Sequence, residues 1–140
     1  MRIAFIRDFI EKADEIDLVL RPEYLDTDVS TGKMVTHPRV IRTIRNPHDR
    51  IEFVTQVVFV AKRFIPHFHE NWIIFRKGTN QMEFTLCERC FDVRDNLTPP
   101  ATVDKKVLLF EMPKGMWAVF SRYGKEYHDS LPRSEQGVRR

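Results

Sequence analysis

Apolar positions recur at helical spacing at the start of this chain and at strand spacing further along. Ile3, Ile6, Phe9, Ile10, Ala13 and Ile16 return every three or four residues, with Arg7, Asp8, Glu11, Lys12, Asp14 and Glu15 between them. That stripe predicts an amphipathic helix over residues 2–16, whose apolar side must cover a neighbour, most simply one face of a sheet. Leu18-Val19-Leu20 predicts a short buried strand or the helix's last turn, and Pro22 ends it either way. Residues 23–32 are loop-like. Their Asp26 and Asp28 lack the spaced oxygen ligands, central glycine and terminal glutamate of a calcium loop.

Two templates fit residues 33–65. Asn46 as cap, Pro47 at the first helical position and Asp49 in the first turn would open a helix at about 47–65, burying Ile51, Val54, Val57, Val58, Ala61 and Ile65. Against it, the segment from Ile51 to Val60 is dominated by β-branched and aromatic residues, and Phe53, Phe59 and Val60 spoil the stripe. The same Asn46-Pro47-His48-Asp49 suits a type I turn. The β-rich composition favours a hairpin, 39–45 against 50–61, with a central second arm apolar on both faces.

The clearest pattern lies between Pro66 and Cys90. Asn71 to Arg76 and Gln81 to Leu86 alternate around Lys77-Gly78-Thr79-Asn80, which has the chemistry of a tight hairpin turn. Pairing Lys77 with Asn80 sets Ile74 against Glu83 and Asn71 against Leu86. Extended further, the same register sets His67 against Cys90. Phe91 to Arg94 predicts one helical turn before an irregular stretch that contains Pro99-Pro100. Residues 106–111 and 116–121 flank Met112-Pro113-Lys114-Gly115 as a third hairpin. Residues 122–140 hold five basic and three acidic residues and little apolar content, and read as a polar tail.

The expected fold is therefore mainly β within an α+β class. The N-terminal amphipathic helix packs on an antiparallel meander or small barrel of about six strands, the alternative being α+β with a second helix at about 47–65. One domain over 1–121 and a tail over 122–140 complete it. At 140 residues, with 42% hydrophobic and 31% charged residues, the composition is that of an ordinary globular domain. Apolar runs such as Ile3 to Ile6 and Val57 to Val60 are short and none exceeds five residues, so neither a membrane span nor the core of a secretory signal is expected. An intracellular, reducing compartment follows from that and from the two cysteines, too few for a disulfide framework.

The net charge of +3 conceals an asymmetry. Residues 1–30 carry four Lys/Arg and eight Asp/Glu, whereas residues 33–50 carry five Lys/Arg and only Asp49. A basic middle points to a polyanionic partner, the alternative being a solvated face. Arg39, Arg42, Arg45, Arg50, Lys62 and Arg63 would contact phosphates, while Phe68 or Trp72 could stack on a base. Strand alternation puts Arg39 and Arg45 on one face and Arg42 on the other.

Candidate chemistry is confined to one place. Cys87 and Cys90 have zinc-knuckle spacing, and the extended hairpin register would bring His67 and His69 beside them as a four-ligand structural zinc site. The alternative reading makes them a small core residue, a cysteine packed near Phe91 and two surface imidazoles. A zinc deaminase would need His-x-Glu and Pro-Cys-x-x-Cys at helix starts; His67-Phe68-His69-Glu70 and Leu86-Cys87 depart from both. A thioredoxin-like site would need a helix opening at the cysteines. His67-Phe68-His69 resembles, over three residues, the His-hydrophobic-His pair of rolling-circle initiation nucleases, a resemblance that implies a catalytic tyrosine near a lysine, with Tyr123 and Tyr127 flanking Lys125. No nucleophile elbow, phosphate-binding glycine loop or convincing acid pair is present.

The expected function is a small basic binding protein, without chemistry of its own, that contacts nucleic acid and is stapled by one structural zinc. The competing expectation is a structural or adaptor subunit of a larger, viral-type assembly, oligomeric or docked on an acidic protein surface.

Overall fold

The apolar stripe at the start of the chain forms α1, Arg2–Lys12, but the helix stops four residues earlier than the stripe suggests. Ile16 belongs to β1, Glu15–Leu20, which is the strand reading of Leu18-Val19-Leu20. The computed structural model describes residues 2–20, 26–27, 30–32, 34–35, 39–62, 71–95 and 109–132. Two short strands, β2 (Asp26–Thr27) within the expected loop of 23–32 and β3 (Met34–Val35) just beyond it, pair with each other. β4, Arg39–Ile44, then returns antiparallel to β1.

The segment after β4 is helical, which corrects the expected hairpin of 39–45 against 50–61. The helix α2 spans Pro47–Thr55 because its start is fully specified locally. The Asn46 side chain accepts the His48 N–H at 2.8 Å and the Asp49 N–H at 3.4 Å, and Pro47 occupies a position that needs no donor. These fixed caps outweigh a diffuse β propensity. The helix buries only Phe53 and leaves Ile51 exposed, so the expected two-sided central strand does not exist. It also ends well before residue 65. Beyond it, Val57 is buried and Phe59 packs on the core, while Ala61 bridges to Phe110. Replacing Asn46 with alanine is expected to cost about 1 kcal/mol. Chemical denaturation measures this, and an unchanged midpoint would show that the cap is dispensable.

β5 (Asn71–Lys77) and β6 (Asn80–Leu86) form the hairpin in the expected register, with Ile74 opposite Glu83, Asn71 opposite Leu86 and Lys77 opposite Asn80. Gly78 takes φ +59° at the first central turn position, where a two-residue hairpin favours glycine. At Leu86 the ladder with β5 ends, and Cys87 to Cys90 turn the chain into β7, Cys90–Asp95. Phe91 to Arg94 are therefore strand, not a helical turn. Phe91 and Val93 are buried on the core side, and the resulting period of two fits pairing with β6.

β8, Leu109–Glu111, pairs with β7 and ends at Met112-Pro113. The expected third hairpin is absent, because residues 116–121 lie in α3, Lys114–Ser130. Met116 and Phe120 are buried, and Trp117, Val119, Tyr123 and Tyr127 pack against the core at helical spacing. The same helix takes in residues 122–130 of the expected tail; residues 133–140 lie outside the described residues.

The six strands follow the order β4-β1-β5-β6-β7-β8 in one open antiparallel sheet that does not close into a barrel. The fold is α+β and mainly β, with the N-terminal helix on the sheet as expected. All three helices contribute to a single core on one sheet face. Phe75, Phe84, Phe91 and Phe110, one from each of β5 to β8, cross that face as a ladder with successive centroid separations of 4.8, 5.0 and 5.3 Å. The outer edge of β8 is covered by the backbone of Val60 and Lys62, through Glu111 N–H to Val60 O and Lys62 N–H to Leu109 O. At the other edge, β4 carries a bulge at Ile41 and the cations Arg39 and Arg42, features that discourage edge-to-edge pairing.

Candidate functional site

Of the residues expected to contact phosphate, the structure uses two as internal fasteners. Arg50, in the first turn of α2, donates from Nη1 to the Ala13 carbonyl just past α1, and from Nε to Arg45 O at 3.1 Å. Its guanidinium thus joins two helices. Arg45 donates to the Glu15 carboxylate at 3.0 Å. Lys62 is distant from both, at the β8 side of the sheet, where its Nζ donates to Arg89 O at 3.4 Å. Trp72 lies half-buried in β5 between Val19 and Thr85, on the face opposite the helices. Arg63 and Phe68 lie outside the described residues.

Arg42 is placed differently. It is exposed on β4, and its guanidinium sits 5.3 Å from the centroid of the Tyr123 ring on α3. From the same helix, the guanidinium of Arg122 lies 5.1 Å from that ring. Two cations from separate elements thus share one half-buried aromatic ring, with Arg39 on the same strand and Lys125 one turn along the helix. Ring stacking fixes a guanidinium while leaving its in-plane donors directed outward, the geometry that binds a phosphate through two hydrogen bonds. Sequence reasoning passes over Arg122 and takes Tyr123 only as a candidate catalytic tyrosine, because both stand in the expected tail. Their signal was the spacing Met116, Phe120, Tyr123, Tyr127, which continues one helical stripe.

The cysteines form the second cluster. Cys87 N–H donates to Cys90 O at 3.0 Å across the β6–β7 turn, and the two Sγ atoms are 3.1 Å apart. Cys87 is half-buried and Cys90 is 1% exposed. Burial, then the hydrogen bond with Cys87, pushes the Cys90 thiol up to about 12; Asp92 adds to the rise and Lys62 opposes it. Neither cysteine opens a helix, so a thioredoxin-like or deaminase arrangement is absent. His67 and His69 lie outside the described residues. Cys90 begins β7 and pairs with Glu111 of β8, so the β5–β6 register does not run on to it.

Among the described residues, one other group of possible ligands converges. His48, Asp49 and Glu52 hold ligand atoms within 4.8 Å of one another, all exposed on the first turn of α2, a proximity that helical spacing explains. A groove of about 430 Å³ between α1 and α2, lined by Arg7, Ile10, Glu11, Arg50, Ile51 and Val54, holds no nucleophile paired with a base. Compared with known proteins, the chain matches no family model, no curated protein and no solved structure.

Proposed function

We infer that this chain is a non-enzymatic nucleic-acid-binding module that contacts the phosphate backbone where the β4 edge meets α3. The observation that carries this reading is the sharing of the Tyr123 ring by Arg42 and Arg122. A flexible cation loses rotamer freedom when it grips a phosphate, and stacking has already removed part of that freedom. Arg39 and Lys125 extend the positive field, which steers a polyanion even without base readout.

Fluorescence anisotropy with a labelled single-stranded oligonucleotide, titrated at several salt concentrations, tests the assignment. Binding should weaken steeply with salt. Arg42→Ala combined with Arg122→Ala should reduce the steepness by roughly 1.4 in log–log slope, about 0.7 for each phosphate of a single strand that is no longer neutralised. Arg45→Ala, whose partner is Glu15, should change it far less. Absence of binding at low salt, or a double variant indistinguishable from the parent, would overturn the reading. Salt-dependent self-association without oligonucleotide binding would support a structural subunit in its place.

A further inference from the structure

The β6–β7 turn holds two thiols close enough to be joined by rotating their side chains. A disulfide needs two side chains directed at each other across a short gap. The Cys87 N–H donates to Cys90 O across the turn, and the two Sγ atoms approach to 3.1 Å. Two thiolates on one tetrahedral zinc, with bonds of about 2.3 Å, would stand roughly 3.8 Å apart. Rotating both side chains so that the sulfurs come about 1 Å closer closes a bond of about 2.05 Å, and zinc binding would instead move them about 0.7 Å apart, so the experiment below separates the two. Exposure divides the work between them: Cys87 is half-buried and accessible, while Cys90 is sealed.

We propose that Cys87 and Cys90 are a reactive dithiol that low-molecular-weight disulfides, of which oxidised glutathione is the probe, convert reversibly to an intramolecular disulfide. In the first step the Cys87 thiolate attacks one glutathione sulfur, the glutathione S–S bond breaks, and one glutathione thiolate leaves. In the second, Cys90 gives its proton to solvent base and attacks Cys87 Sγ of the mixed disulfide, expelling the second glutathione thiolate. Two protein thiols are oxidised and one glutathione disulfide is reduced to two thiols. The order follows from access, since Cys87 is half-buried and Cys90 is sealed from an incoming disulfide.

Oxidation acts at a junction of the fold. The Arg89 carbonyl, inside the turn, accepts the Met112 N–H at 3.0 Å and Lys62 Nζ at 3.4 Å. Closing the disulfide fixes the turn to which the start of α3 and the strap over the β8 edge are tied. This site is independent of the Arg42 and Arg122 surface.

The test uses the reduced full-length chain, oxidised glutathione, intact-mass spectrometry and thiol titration. The parent chain should lose two hydrogens and both titratable thiols, and recover them with a reductant. Cys90→Ser, or Cys90→Ala if the serine misfolds, should stop with one glutathione attached. Cys87→Ser should add glutathione at least about tenfold more slowly than Cys90→Ser. A parent that accumulates only the mixed disulfide or cross-linked dimers would overturn the proposal. So would a chain purified with about one equivalent of zinc whose thiols react only after chelation, an outcome that would establish the metal site instead.

Discussion

Phe84→Ala is expected to remove about 3–5 kcal/mol of folding stability. Phe84 is fully buried in β6 and touches the ring of Phe75 on one side and that of Phe91 on the other, at 4.8 and 5.0 Å between centroids. Phe59, on the segment after α2, adds an edge contact at 6.3 Å. The cost has two parts: the apolar surface no longer withdrawn from water, and the cavity left by neighbours held in place by the β-ladder. Because these rings come from different strands, they cannot collapse inward without disturbing backbone pairing. Against a typical total of about 5–15 kcal/mol, such a loss would leave the domain close to unfolding at ordinary temperature. Guanidinium denaturation should show it as a lower midpoint. Phe5→Ala serves as control, because that ring is 43% exposed and should cost within about 0.5 kcal/mol. A Phe84→Ala loss below about 1 kcal/mol would mean that the ladder is not the centre of the core.

That ladder shows what the sequence discloses and what it withholds. The β5–β6 register was legible because Lys77-Gly78-Thr79-Asn80 fixes the turn, and turn geometry fixes every pair above it. The register ceased to be legible at Leu86, where nothing in the alternation announces that Cys87 to Cys90 form another turn. Extrapolating the pairing set His67 opposite Cys90, whereas Cys90 in fact opens the next strand. Residues 51–60 illustrate a conflict of scales. Their β-branched content is a weak preference spread over ten positions, while Asn46 and Pro47 act at fixed places and decide the outcome locally.

The C-terminal helix was hidden for a different reason. Tyr123 and Tyr127 stand among charged residues, yet a tyrosine buries most of its ring and keeps only its hydroxyl wet. Counted as apolar, they extend the stripe from Met116 and Phe120 by two turns. The cost was functional as well as structural, since the surface formed with Arg42 depends on that helix. Composition did identify a basic middle, but it could not separate Arg42 from Arg45 and Arg50. Which cations stay outward-facing is settled by Glu15 and by two backbone carbonyls, and those partners are remote in sequence.

The second large effect concerns Asp17, a charge in the middle of β1 that no periodicity explains. Its carboxylate is on the face opposite the helices and only 7% of the residue is exposed. It accepts from Thr43 Oγ1 of β4 at 2.7 Å and from Arg76 Nε of β5 at 2.9 Å, and Arg76 Nη1 continues to Gln81 of β6 at 2.9 Å. One polar chain thereby ties four neighbouring strands. Removing the cation leaves a desolvated carboxylate with a single hydroxyl partner, whereas removing the anion leaves a guanidinium that can reach water. The Arg76 side chain is 36% exposed, so solvent screens part of the attraction and the full cost of breaking a buried pair does not apply. Arg76→Met, which keeps the packed stem, should therefore lose about 1–3 kcal/mol, and Asp17→Asn distinctly less. The double variant should be less destabilised than the sum of the two, with a coupling above about 0.5 kcal/mol in a double-mutant cycle. If Asp17→Asn proved the costlier change, or the two losses simply added, the carboxylate would not depend on Arg76, and the strands would be held by packing and backbone pairing alone.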